Sequence, residues 1–144
     1  ILPLPKQIAF ISLALTAHAV FLKATCLGIG DTAIILNQPS LAKFENKVKP
    51  GGILIYDGYG IMEPPTRKDI TVYRIDAMDK AAEMKNGKIF NMIVLGGLLK
   101  VCPVITLNGV EKALYKTLPE RHHSLIPLNI QALEEGGKII EEVK

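Results

Sequence analysis

Arg121, His122 and His123 stand together in Leu118–Asn129, LPERHHSLIPLN, between Pro119 and Pro127 at the junction of two expected helices. A guanidinium fork and two imidazoles beside a helix N-terminus suit a carboxylate or a phosphate. The same side chains suit a polar junction that hydrogen-bonds a neighbouring helix or subunit, and this contact role is the one expected here. Metal binding is not expected, because no cysteine and no clear acidic ligand accompanies the pair. Ser124 is no nucleophile, since no glycine elbow surrounds it. The segment therefore suggests contact or anion binding and supplies no catalytic residue.

Asn37, Gln38 and Asp57 form a second group. Each follows a short apolar run that reads as a parallel strand, and ligands of parallel sheets collect outside the carboxyl ends of strands. Asn37 and Gln38 are thus placed to hold a polar ligand or a partner's backbone. The competing expectation, and the favoured one, is that they cap the following helix while Asp57 starts a turn. Gly58-x-Gly60 lacks the third glycine of a dinucleotide loop, and Pro64-Pro65 stands where the phosphate-binding helix would begin. Cys26 and Cys102 are the only cysteines and lie far apart, so they form no zinc site, iron–sulfur site or disulfide framework. Both are expected to be buried thiols in a reduced, cytoplasmic setting.

The elements that must position these groups alternate. Ala33–Leu36 reads as a buried strand, and Asn37-Gln38-Pro39-Ser40 opens a helix with Pro39 in its first turn. Leu41, Phe44 and Val48 make its apolar stripe, and Lys49-Pro50-Gly51-Gly52 ends it before the strand Ile53–Tyr56. This is a βαβ unit, so the two strands are expected to be parallel. Thr71–Arg74 gives a third strand, and Asp76 reads as the N-cap of a helix running toward Lys85. Ile89–Val101 is apolar on nearly all sides, as an interior helix should be. Gly96 and Gly97 in its middle each cost about 0.5–1 kcal/mol relative to alanine, which implies that another backbone crosses close to them. Thr106 or Asn108 caps the next helix, with Val110, Ala113, Leu114 and Leu118 inward. Ser124 is expected to cap the last, which should stop or bend at Gly136-Gly137.

With 144 residues, 49% hydrophobic and 22% charged, the chain is expected to be one domain, 1–144, with a single sizeable core. A net charge of +3 without a basic stripe gives no nucleic-acid footprint. Ile8–Leu22, IAFISLALTAHAVFL, is too short for a span of about 20 residues and is interrupted by His18. It is expected to be a buried core helix, with His18 hydrogen-bonded inside, and neither a membrane segment nor a targeting signal.

Asp31–Asp57, DTAIILNQPSLAKFENKVKPGGILIYD, together with Phe90–Lys100, FNMIVLGGLLK, and Leu118–Asn129 resembles the gamma subunit of 2-oxoacid:ferredoxin oxidoreductases. The 2-oxoglutarate-using branch is nearest. The family's pattern falls on Asn37, Gln38, Pro39, Gly51, Gly52, Asn91, Gly96, Leu118, Pro119, Arg121, His122 and Asn129. The likeness covers 31–144. The family's glycine-rich GFGGQG-like and SYGPExRGG-like motifs have no counterpart in 1–30, which reads as an atypical or truncated segment. The resemblance implies a three-layer α/β/α domain with a mostly parallel sheet, like domain III of pyruvate-ferredoxin oxidoreductase. It implies complexes that decarboxylate a 2-oxoacid on thiamine diphosphate and Mg²⁺, pass electrons through [4Fe–4S] clusters to ferredoxin, and load coenzyme A. Alpha and beta subunits, and a delta subunit where one exists, would be the partners, and this chain would bind none of the redox cofactors. The other function class left open is a stand-alone small α/β anion-binding module built on Arg121–His123.

Overall fold

Short, mostly apolar runs suit strands covered on both faces, and three of them form the middle of a five-stranded sheet. The computed structural model describes residues 19–23, 31–103 and 106–143. The strands are β1 (Ala19–Lys23), β2 (Asp31–Ile35), β3 (Ile53–Asp57), β4 (Thr71–Ile75) and β5 (Glu141–Glu142). The helices are α1 (Gln38–Phe44), α2 (Ala77–Glu83), α3 (Phe90–Val101), α4 (Leu107–Thr117) and α5 (Ile126–Ile139). Strand order in the sheet follows chain order. β2, β3 and β4 are parallel, with Ile34 beside Ile55 and Asp57 beside Ile75. β1 and β5 pair antiparallel at the two edges. The three expected strands are thus parallel, within a mixed sheet.

Alternation along the strands divides the core in two. Ala33, Ile35, Leu54, Tyr56 and Val72 face α1 and the long β3–β4 connection, where Leu41, Val48, Ile61 and Ile70 are buried. Ile34, Ile53, Ile55 and Ile75 face the layer made by α2 to α5. Helices therefore cover both faces, giving three layers.

The tightest helix contact is α3 on α5. A Cβ built on Gly96 would overlap the Leu133 carbonyl oxygen, and one on Gly136 would overlap the Ile93 carbonyl oxygen. A Cβ on Gly97 would run into the Ile75 and Ile140 side chains. Gly96 is needed for the close backbone approach that its cost implied, whereas Gly97 makes room for the Ile75 and Ile140 side chains. α5 does not stop at Gly136-Gly137 but runs through to Ile139, because Gly136 supplies the other half of the same crossing.

Other local expectations also needed correction. Ala19–Leu22 belongs to strand β1 and not to a helix, since a short apolar run has no period to separate the two and pairing with β2 decides. Ile8–His18, which includes the rest of that expected helix and its histidine, lies outside the described residues. Ser124 falls inside the 3-10 turn Glu120–Leu125, and Leu125 occupies the N-cap position of α5 without a side-chain bond. Cys102 is buried and disulfide-bonded, so it is not the free thiol expected; Cys26 lies outside the described residues. Thr106 caps α4 as expected, its hydroxyl accepting from Gly109 N at 3.1 Å. α2 ends at Glu83, two residues short of Lys85. Lys85, at φ 56°, donates its N–H to Ala82, and Asn86 donates to Ala81, closing the helix with a left-handed residue.

Candidate functional site

The carboxyl ends of β2 and β3 bring Asn37, Gln38 and Asp57 to one edge of the sheet. Asn37 has extended backbone, and its Oδ1 accepts from Ser40 N at 2.9 Å, capping α1 with Pro39 in the first turn. Gln38 does something the sequence did not announce. Its Oε1 accepts from Met62 N and Glu63 N, both at 2.9 Å, and its Nε2 donates to the Glu63 carbonyl at 3.2 Å. The loop after β3 is thereby tied to the start of α1. Gly60 completes the junction, because a Cβ there would overlap the Leu36 carbonyl oxygen at the end of β2.

Asp57 is 1% exposed. Its Oδ1 accepts from Ala77 N at 3.1 Å and lies 3.5 Å from Met78 N, so Asp57, and not Asp76, caps α2. Asp76 occupies the N-cap position without capping, because its carboxylate accepts from Arg74 Nε at 2.9 Å across Gly58. Burial pushes the Asp57 carboxyl up to about 6, against the two backbone donors, and the acidic neighbours Asp76 and Asp79 push it the same way. This edge is hydrogen-bonded and partly buried, and its polar side chains serve caps and loop ties.

A second tie lies further along the same loop. Glu45 Oε1 accepts from Thr66 N at 2.7 Å and Arg67 N at 3.0 Å, while Arg67 Nη1 donates to the Glu45 carbonyl at 2.8 Å. Arg67 also pairs with Asp69 at 2.6 Å. Neither Glu45 nor Arg67 carries a local sequence signal, because the partners are some 20 residues apart and meet only after folding.

Arg121, His122 and His123 sit in the turn between α4 and α5 and do not join the carboxyl edge. Arg121 Nε donates to His122 Nε2 at 3.2 Å on the exposed surface. His123 Nε2 lies 2.8 Å from the Leu118 carbonyl, which places a proton on that nitrogen, and its ring meets Tyr115 edge-on with centroids 5.1 Å apart. Asn129 Nδ2 donates back to the Leu125 carbonyl at 3.1 Å. Tyr115 and Leu125 beside them are about half exposed. Asn91 is half-buried in the first turn of α3. Gly96 also borders a shallow groove of about 370 Å³, whose apolar floor includes Leu99 and Leu133 and whose rim includes Lys100 and Lys138.

Sheet order and layering define a three-layer α/β domain. The chain belongs to the pyruvate ferredoxin/flavodoxin oxidoreductase family, whose pattern matches residues 21–139. It is similar to the 2-oxoglutarate synthase subunit KorC of Methanocaldococcus jannaschii, 24% identical over 115 residues that cover 78% of this chain and 60% of that one. It is also similar to the ketoisovalerate oxidoreductase subunit VorA of Methanothermobacter marburgensis, 24% identical over 111 residues covering 74% of this chain and 22% of that one. The chain therefore spans about three fifths of the first relative and about a fifth of the second. Among solved structures, the gamma subunit of a keto/oxoacid ferredoxin oxidoreductase from Geobacter sulfurreducens shares the fold at a TM-score of 0.64. Identity is 17%, with 94% of this chain and 86% of that one covered. The 2-oxoglutarate:ferredoxin oxidoreductase of Magnetococcus marinus, with 2-oxoglutarate, coenzyme A and succinyl-CoA bound, also gives a TM-score of 0.64. There identity is 18%, covering 92% of this chain and 28% of that one.

Among the described residues no helix is long and apolar enough to cross a membrane. The residues do not fit an iron–sulfur cluster, which needs several thiolates where this chain has two cysteines and Cys102 is bonded through sulfur.

Proposed function

We propose that this chain is the gamma subunit of a 2-oxoacid:ferredoxin oxidoreductase, with 2-oxoglutarate as the acid, working beside alpha and beta subunits. The observation that carries this reading is the family match across 21–139. The choice of 2-oxoglutarate is supported by relatives of that name in two methanogens at 24% and 25% identity. On this reading the chain supplies structure to the complex, and thiamine diphosphate, Mg²⁺, the clusters and coenzyme A are held elsewhere. The polar side chains support that division of labour. Asn37, Gln38 and Asp57 are engaged in capping and loop tying, and Arg121 bonds His122 without converging with it on an open anion cradle.

The α4–α5 junction is the contact site in this reading. Arg121, His122, Tyr115 and Leu125 combine a fork donor with half-exposed aromatic and aliphatic surface, a composition enriched in subunit interfaces. Reconstitution with the thiamine- and cluster-bearing subunits tests both parts. The chain should be required for coenzyme A-dependent ferredoxin reduction, and alone it should show no redox activity and no visible absorbance. Arg121→Ala and His122→Ala should weaken assembly while leaving turnover per assembled complex unchanged. Normal assembly with collapsed turnover would refute the contact role.

A further inference from the structure

We propose that the loop 58–63 is a rigid docking knob that seats Tyr59 and Met62 in an apolar hollow with a basic rim on another subunit of the complex. Assigning the partner to that complex rests on the functional reading above. Tyr59 is 66% exposed and Met62 86%, the two most exposed large hydrophobic side chains among the described residues. Scattered exposed apolar residues are ordinary, and on a slack loop these two would mean little. This loop is not slack. Gly58 N donates to the Ile75 carbonyl at 3.1 Å, and a Cβ on Gly58 would overlap the Asp76 carboxylate. Gly60 lies against the Leu36 carbonyl, and Ile61 is buried in the core beside α1. Gln38 then holds the N–H groups of Met62 and Glu63 and the Glu63 carbonyl. The loop therefore crosses the carboxyl edge from the end of β4 to the end of β2, with Tyr59 at its crest.

Apolar side chains on a fixed backbone lose little freedom on binding, which is the advantage of a preorganised contact. Tyr and Met are also enriched where subunits meet. Met78, half-exposed, stands at the same end of the molecule, because its N–H lies 3.5 Å from the Oδ1 of Asp57, the residue before the loop. The surrounding charge selects the partner. Glu63 follows Met62 and Asp79 follows Met78, both are exposed, and among the described residues neither carboxylate has an ion-pair partner. Arg74, the cation of this corner, is bonded to Asp76. The knob is thus apolar with an acidic flank, and its complement is a hollow rimmed by lysine or arginine. Nucleic acid and anionic lipid are repelled by the same carboxylates. The groove between Lys100 and Lys138 of a second copy has the right chemistry, but seating the knob there is a head-to-tail contact that builds rings or filaments and no two-fold dimer.

Surface plasmon resonance of the full chain against the thiamine- and cluster-bearing subunits tests the knob. Tyr59→Ala and Met62→Ala should leave Tm unchanged, since both side chains are exposed, and should each weaken binding by about tenfold or more, chiefly through faster dissociation. Glu63→Gln and Asp79→Asn should slow association and reduce its dependence on salt. Gln38→Ala keeps both apolar side chains but frees the loop, and should weaken binding as well. Full binding by Tyr59→Ala and Met62→Ala would overturn the proposal, as would carboxylate variants that associate faster than the parent chain. Self-association of the chain alone that Met62→Ala abolishes would put a second copy on the knob, and would overturn it too. A parent chain that does not bind those subunits at all refutes the functional reading and takes this partner with it, whereas normal binding untouched by the variants refutes the knob alone.

Discussion

Gly136 and Gly137 are neighbours in one helix, yet replacing each by alanine should move stability in opposite directions. Alanine is favoured over glycine in a helix interior by up to about 1 kcal/mol, and both positions lie inside α5. At Gly137 the new methyl has room, with its nearest contacts at 3.7 Å from the Gly96 carbonyl oxygen and 3.8 Å from the Lys100 Cβ. Gly137→Ala should therefore gain most of the propensity term, about 0.5–1 kcal/mol. At Gly136 the methyl would fall on the Ile93 carbonyl oxygen and stand 3.0 Å from Gly97 N, both backbone atoms that no rotamer change can move. α3 and α5 would have to part by on the order of 1 Å, which forfeits a quarter to a half of the dispersion well along the contact. Overpacking of that kind costs about 1–3 kcal/mol or more, outweighing the propensity gain. Urea or thermal unfolding of the two variants beside the parent protein measures the difference. Gly137→Ala should raise Tm by roughly 1–4 °C, and Gly136→Ala should lower it by several degrees. Two shifts of the same sign, or a Gly136→Ala variant as stable as the parent, would refute the backbone-contact reading of the crossing.

Gly96→Leu should destabilise for the same reason, measured as loss of Tm or of assembly, because Leu133 backbone fills the space its side chain would need. Lys85→Gly should stabilise by about 1 kcal/mol in urea unfolding, since Lys85 holds a left-handed φ of 56° that glycine adopts without strain. Gln38→Ala should cost about 1–2 kcal/mol and speed proteolytic cutting around residues 60–66, as three hydrogen bonds to Met62 and Glu63 are lost. The contribution of Asp57 to stability should fall as pH rises from about 4 to about 6 and then level off. Native Asp57, with its carboxyl raised to about 6, binds the proton that the unfolded chain has already released. The change is up to about 3 kcal/mol, and Asp57→Asn should remove it in urea titrations at a series of pH values.

Where a feature depends on neighbours in sequence, its residues announced it. Asn37 before Pro39 gave the start of α1, Thr106 gave the cap of α4, and glycines in the middle of an apolar helix signalled a close crossing. The partner in that crossing was misread. Gly136 is the same device seen from the other helix, but in a charged segment a glycine pair looks like a stop. Asp57 and Asp76 show the limit at the candidate site. Both precede α2 in the chain, and local logic chose the nearer; the fold lays β3 beside β4, so the more distant carboxylate reaches the helix while the nearer one meets Arg74. β1 was missed because its apolar run is equally compatible with a helix, and β5 because two residues show no period; pairing alone defines them. The ties from Gln38 and Glu45 join residues more than 20 positions apart, where no local pattern exists to read.

β5 consists of two exposed glutamates, paired with Tyr73 and Arg74 on the outer side of β4 and followed by Val143 N donating to the Val72 carbonyl. An open strand edge is a template for any other extended chain, and carboxylates along it repel such a visitor. All of α2 to α5 lies between β4 and β5 in sequence, so β4 keeps a bare edge until the helical layer has packed and delivered the last strand. The α3–α5 crossing thereby sets when the outer edge of β4 is covered. Damage at Gly96 or Gly136, far from any strand, would show first as strand-to-strand association between molecules.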